Sequence, residues 1–406
     1  MFRRELRDYR FFLASRVASM LGHQITSVVI GWQVFSLTGR AMDLGYVGLA
    51  QFLLAIALSL VTGQIIDRVD RRRVLVLCYA AEVACTLCLL ALTRAENRAL
   101  WPIYAVLVVF GTARAFSGPS SQALAPNLVS RELLPRAVAW SSTAWQLSVI
   151  VGPALGGAVY GGLGPSAAYA ASMVLLTGAG LATASVRGGG PSACPTAAEE
   201  GPPGESKFAK LFAGLRYVFR ERAILGTLSL DLFAVLLGGA VALLPMFAAS
   251  LGGGPLGLGL LRSAPAVGAS ATALFLSFFP LQRHAGRRML AAVGVFGVAT
   301  IAFGLSKSFP LSLACLVVLG AADMVSVVVR RTLLQVRVPD AMRGRVYAVT
   351  DVFVGASNEL GEFESGLTAA WLGPEVAVIA GGVGTCLIVA AWAVFFPALR
   401  DVDRLE

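Results

Sequence analysis

Charge is scarce in this chain. Only 14% of its 406 residues are Asp, Glu, Lys or Arg, against about 25% in an ordinary soluble domain, while 57% are hydrophobic and the mean hydropathy is +0.75. That combination excludes a soluble fold. Two histidines, His23 and His284, are too few for a metal cluster. The six cysteines lie mostly inside apolar segments, so Cys85-x-x-Cys88 reads as packing rather than a metal or redox site. No Gly-x-x-x-x-Gly-Lys-Ser/Thr loop is present and no nucleophile has a histidine nearby. An enzyme or a self-contained ATP-driven pump is therefore not expected, and neither is a metal or other cofactor. No cleavable leader is expected either: the first apolar segment is long, carries Arg16 and lacks a small-residue cleavage site, so it should remain as the first helix.

What the chain has in quantity is apolar runs of about 20 residues, each enough to cross a hydrocarbon core of about 30 Å at about 1.5 Å per residue. Spans are predicted near 11–37, 42–66, 74–94, 100–120, 137–160 and 166–186, then 223–250, 256–279, 289–306, 310–330, 346–371 and 375–397. The expected fold class is an all-α polytopic membrane protein of twelve transmembrane helices in two six-helix bundles, 1–186 and 223–406. The linker between them, 187–222, opens with flexible Gly188-Gly189-Gly190-Pro191 and Gly201-Pro202-Pro203-Gly204. It ends with Phe208, Leu211, Phe212, Leu215 and Phe219 at helical spacing opposite Lys207, Lys210, Arg216, Arg220 and Arg222, the pattern of an amphipathic helix on a membrane surface.

The net charge of +10 could suggest nucleic acid, but its distribution argues for a bilayer. Alternate loops hold most of the 33 Lys and Arg, whereas the opposite loops hold Arg40, Arg94, Arg98 and Lys307. The positive-inside rule then puts both termini in the cytoplasm.

Between the second and third predicted spans runs Gly63-Gln64-Ile65-Ile66-Asp67-Arg68-Val69-Asp70-Arg71-Arg72-Arg73. Gly63 allows helix ends to approach closely, Asp67 can accept hydrogen bonds at a helix end, and the arginines keep their charge. The spacing resembles the G-x-x-x-D-R-x-G-R-R/K loop signature of the major facilitator superfamily, matched at Gly63, Asp67, Arg68, Arg71 and Arg72, with Asp70 where that family has glycine. Gly286-Arg287-Arg288 echoes the end of the pattern in the second half. Gly152-Pro153-Ala154-Leu155-Gly156-Gly157 matches the G-P-x-x-G-G sequence the superfamily associates with exporters, and Arg114 with Gly118 is similar to its R-x-x-x-G element. Together with Ala115–Pro119, the Asp231-Leu-Phe-Ala-Val run, Arg330–Gln335 and Arg343-Gly344-Arg345-Val346, these residues resemble the bacterial branch that includes the enterobactin exporter.

That resemblance implies a plasma-membrane (bacterial inner-membrane) transporter working as a monomer, with a central site between two halves, that exports a siderophore or another amphiphilic small molecule against protons. Gly63, Asp67, Arg68, Arg71 and Arg72 would latch one closed state. Uptake by symport is the near alternative. A receptor or scaffold would need a soluble signalling domain that the linker does not supply.

Charged groups inside spans cost about 3 kcal/mol each on insertion scales, which marks them as functional candidates. Asp231 and Asp323 would border the central cavity if the resemblance holds, and lead the candidates for proton coupling. The span 346–371 is the most polar: Asp351, Gly355, Asn358, Glu362 and Ser365 share one helical stripe, with Glu359 on its flank and Glu364 pointing elsewhere. Arg114 should face protein or a wet cavity. Arg16 polarises the first helix together with His23 and Gln24, either in a cavity or by snorkelling. His23 alone reads more readily as a hydrogen-bonded packing residue than as a titrating group. Arg16, Arg114 and Arg262 are the intramembrane cations available to pair with the acids.

Overall fold

The computed structural model describes residues 2–130, 132–187, 207–281 and 283–402, with the side chains of 2–6, 53, 55–57, 59–68, 207–211 and 341 outside that description. The chain is almost wholly helical: α1 (Phe2–Thr38), α2 (Ala41–Arg68), α3 (Arg71–Arg94), α4 (Trp101–Leu124), α5 (Leu134–Leu163), α6 (Pro165–Ser185), α7 (Lys207–Arg220), α8 (Arg222–Gly238), α9 (Leu244–Ser250), α10 (Gly254–Phe278), α11 (Ala285–Leu305), α12 (Phe309–Arg337), α13 (Asp340–Leu372), α14 (Pro374–Phe395) and the short α15 (Pro397–Arg400). Among the described residues eight stretches are long and apolar enough to cross a membrane: α3, α5, α6, α8 continued by α9, α10, α11, α12 and α14. Helices α1, α4 and α13 have the length, but interior charges dilute their apolar character: Arg16, Arg114 and the α13 carboxylates.

The chain forms two compact units, 1–39 with 46–195 and 248–263, and 40–45 with 196–247 and 264–406. In the first unit α1 packs on α5 and α6, and α3 on α4 and α6. Association in lipid depends on close packing and shared hydrogen bonds, because lipid tails are as apolar as leucine. Both devices are present. Ser15 Oγ donates to Ala179 O at 2.8 Å, Thr26 Oγ1 pairs with Ser172 Oγ at 2.6 Å, and the Tyr9 hydroxyl donates to Ala137 O at 2.6 Å. A Cβ on Gly152 would fall 2.6 Å from Gln24 Cβ, and one on Gly156 would fall 3.0 Å from Ile25 Cα, so these two positions of α5 admit α1.

In the second unit α8 packs on α13 and α14, and α11 on α12 and α14. The predicted continuous span 223–250 is interrupted: α8 stops at Gly238 and a 3-10 turn, Val241–Leu243, precedes α9. Adjacent Gly238 and Gly239 weaken the helix there, since glycine is the poorest helix former after proline. An unpaired carbonyl inside a membrane is expensive, and Gly239 O is met by the Ser365 hydroxyl of α13 at 2.6 Å. Gly361 makes that approach close, because a Cβ there would fall 2.9 Å from Val235 O.

The glycine-rich linker start, 188–206, lies outside the described residues. Of the amphipathic segment, α7 rests Gly214 and Val218 against α13 and leaves Phe212, Arg216, Phe219 and Arg220 exposed.

Candidate functional site

Unit 2 contains a buried ionic site. Asp231 on α8 and Arg330 on α12 form an ion pair through Oδ1 and Nη1, with only 5% and 6% of each residue exposed. The attraction of the partner offsets the several kcal/mol lost in taking each charge out of water. On α12, Asp323, Ser326 and Arg330 recur at offsets 3 and 7 and so share one face. Asp231, Asp323 and Ser326 line a small cavity together with Ala234, Val235, Val293 and Phe296. One guanidinium beside two carboxylates leaves the group at net −1 when both acids are ionised and neutral when one holds a proton. Such a site is neutral while it holds one proton and carries a single negative charge once that proton is released, a difference that favours proton uptake. The partner of Asp231 is thus Arg330, at the very end of the predicted span 310–330, rather than any of Arg16, Arg114 and Arg262. Helix α12 continues to Arg337, beyond the apolar run, and draws Arg330 into the packed interior.

Unit 1 contains a different pair. His23 Nε2 on α1 lies 2.8 Å from Glu82 Oε2 on α3, and Glu82 is fully buried. The Ser117 hydroxyl of α4 donates to Glu82 Oε1 at 3.4 Å, and Phe110 stands edge-on to the imidazole at 5.7 Å. Glu82 was missing from the sequence candidates, although it is the one acid inside the predicted span 74–94 and the rule that flags intramembrane charge applies to it directly.

The other candidates are spread out. Arg16 is half-buried and its Nε is enclosed without a hydrogen-bond partner. Arg114 is exposed and donates from Nη1 to Gln51 Oε1 of α2 at 3.4 Å. On α13, Asp351 and Asn358 are exposed, and Glu359 and Glu362 are half-buried. Asn358 donates to its own helix at Val354 O (2.9 Å), and Thr368 donates to Glu364 at 2.6 Å. None of the α13 acids lines the Asp231–Asp323 cavity.

Of the loop signature, the side chains of Gly63, Asp67 and Arg68 lie outside the described residues. Asp70, in place of the family's glycine, caps α3 by accepting from Arg72 N at 2.9 Å. Arg71 donates to Ala123 O at 3.0 Å and Arg72 donates to Ala184 O. Both acceptors are among the last carbonyls of α4 and α6, the negative ends of those helices. In the Gly-Pro motif, Gly152 and Gly156 face α1 while Gly157 faces the start of α10, where a Cβ would fall 2.4 Å from Pro255 O; Pro153 sits inside α5 and its carbonyl abuts Gly259.

Residues 5–406 match the family model described as transmembrane secretion effector, of the major facilitator superfamily. The chain belongs to that family. It is 27% identical over 409 residues to the multidrug efflux pump Tap of Mycolicibacterium fortuitum, covering 94% of each chain. It is 27% identical over 367 residues to the enterobactin exporter EntS of Escherichia coli O1:K1, covering 88% of this chain and 82% of the exporter. Among solved structures, it is similar to a bacterial homologue of the lysosomal transporter Spinster, with a TM-score of 0.71 at 13% identity over 98% of this chain and 97% of the other.

Membership establishes the twelve-span major facilitator fold, a role in moving small molecules across a membrane, and a transporter rather than an enzyme. It also explains why α1, α4 and α13 are less apolar than their neighbours. In a transporter, spans with interior charge face protein or a wet path rather than lipid.

Proposed function

We propose that this transmembrane secretion effector is a proton-driven antiporter that exports an amphiphilic small molecule, a siderophore or a drug-like compound, from the cytoplasm of a bacterium. It works by alternating access between halves 1–186 and 223–406, joined by 187–222, as a monomer in the inner membrane with both termini cytoplasmic. The observation that carries the reading is the buried Asp231–Arg330 pair with half-buried Asp323 beside it, because a membrane protein keeps charge in its interior where charge is used. The names of its relatives support export as the direction.

Arg330 holds Asp231 in place, and Asp323, beside the cavity, exchanges the proton. Asp351, Asn358, Glu359, Glu362, Arg16 and Arg114 contribute to the polar path. Gly63, Asp67, Arg68, Arg71 and Arg72 latch one closed state by the type of contact that Arg71 and Arg72 make to helix-end carbonyls. Gly152, Pro153, Gly156 and Gly157 let α5 pack closely and bend during the exchange.

The test uses everted membrane vesicles with an acidified lumen and three probes: ethidium, a macrolide and a catecholate siderophore. Accumulation of at least one probe, abolished when the pH gradient is collapsed, is the expected result. Absence of gradient-dependent accumulation for all three contradicts proton-driven export, and gradient-driven uptake in right-side-out vesicles would make the protein a symporter.

A further inference from the structure

The geometry points to His23 and Glu82 as a proton-binding site of unit 1, separate from the Asp231–Asp323 site and serving the same transport cycle. This rests on the proton-coupled reading above. The carboxylate has no exposure, and its polar contacts are the imidazole at 2.8 Å, the Ser117 hydroxyl at 3.4 Å and, on its own helix, no cation. A fully buried ionised carboxylate that receives one long hydroxyl bond and the N–H of a neutral ring keeps its full charge, which a protonated imidazole would cancel.

The pair therefore has two low-energy forms, imidazolium with carboxylate or imidazole with carboxylic acid, and both contain one proton more than the charged alternative of neutral ring and ionised acid. With the ring neutral, Nε2–H already donates to Oε2, so a proton that arrives is taken up at Nδ1 and brings the pair from net −1 to neutral; its departure from Nδ1 reverses the step and leaves the Nε2–H···Oε2 bond in place. Access is one-sided: the His23 side chain is 17% exposed and that of Glu82 0%, so protons enter through the ring.

Among the described residues, the surroundings add no competing counter-ion at contact distance. On α1 the nearest other charged side chain is Arg16, two turns before His23. On α3, Cys78, Tyr79 and Cys85 lie within electrostatic reach of Glu82. From α4 come Ser117 and Phe110, with Arg114 turned outward to Gln51. From α6, Ser172 spends its hydroxyl on Gly22 O and Thr26.

The chain has only two histidines, so the site can be watched directly. In protein labelled with 15N at histidine and carrying His284→Gln, one imidazole signal set remains, that of His23. Its signals are expected to respond to pH, and to respond differently once Glu82→Gln removes the carboxylate charge at contact distance. A His23 spectrum that does not change with pH, or changes identically in both proteins, overturns the proposal and leaves a packing hydrogen bond. If Glu82→Gln does not fold, the pH response with Glu82 intact still decides, since an invariant ring is fatal to a proton site.

The role in transport is read separately in everted vesicles. With wild-type protein driving probe accumulation, His23→Asn and Glu82→Gln should each lose at least tenfold of the acid-driven rate while retaining probe counterflow. Full activity in both variants overturns the role, whereas absence of acid-driven transport in the wild type overturns the proton-coupled reading itself.

Discussion

The two units bury a carboxylate in two different ways. Unit 2 gives Asp231 a guanidinium, which never releases its proton, whereas unit 1 gives Glu82 an imidazole, which does. In the proposed cycle this becomes a division of labour: Asp231–Arg330 is a fixed pair that relies on a third group, Asp323, to exchange a proton, and His23–Glu82 exchanges one by itself. The fixed pair is sealed on both members, and the titratable pair is open at its basic end.

The comparison can be broken most severely at the fixed pair. Arg330→Ala leaves Asp231 buried with no cation, a loss of about 3–5 kcal/mol for a buried pair deprived of one member. It should lower the thermal midpoint of the detergent-solubilised protein by many degrees, whereas the double variant Arg330→Met with Asp231→Leu should regain most of that stability. A normal midpoint for Arg330→Ala would show the pair to be idle.

Asp323→Asn comes next. The amide has nearly the same volume, so stability should hold while acid-driven accumulation falls at least tenfold and counterflow persists; unchanged acid-driven transport moves the proton to another acid. Ser365→Ala sharpens the picture of unit 2 at the α8 break. It removes the donor to Gly239 O and should cost about 1–3 kcal/mol for the unsatisfied carbonyl, read as a lowered unfolding temperature. The smallest effect is expected in unit 1 from Ser117→Ala. A 3.4 Å contact is a weak hydrogen bond, so stability should change by less than about 0.5 kcal/mol, and a large loss would mean that Ser117, rather than His23, compensates Glu82.

How much of this was legible beforehand follows from what a sequence encodes. Hydropathy and helical spacing mark spans and intramembrane charge, which is why Asp231 and Asp323 stood out and the family could be suspected from Gly63 to Arg72. They do not say which face of which helix a residue meets. The pairing of His23 with Glu82 joins positions 59 apart on α1 and α3, and nothing periodic links them; His23 looked solitary because its partner sat in a span read as apolar packing around Cys78, Cys85 and Cys88. Arg330 was passed over as a partner for a related reason, since it stands at the end of the apolar run while the helix itself continues to Arg337. The interruption after Gly238 was written in the paired glycines, but the rescue of Gly239 O by Ser365 depends on a contact between α8 and α13 that no local pattern reveals. Asp70, by contrast, replaces the family's glycine with a residue type that caps helices, and its bond to Arg72 N is a local consequence of the sequence.

In the proposed exchange, proton and substrate compete for one protein. The decisive measurement adds a transported probe to the purified protein in weakly buffered detergent solution and follows the pH with an indicator dye. Wild-type protein should release protons as the probe binds, and Asp323→Asn should bind the probe with that release strongly reduced. Probe binding by the wild type with no proton released would contradict the exchange mechanism.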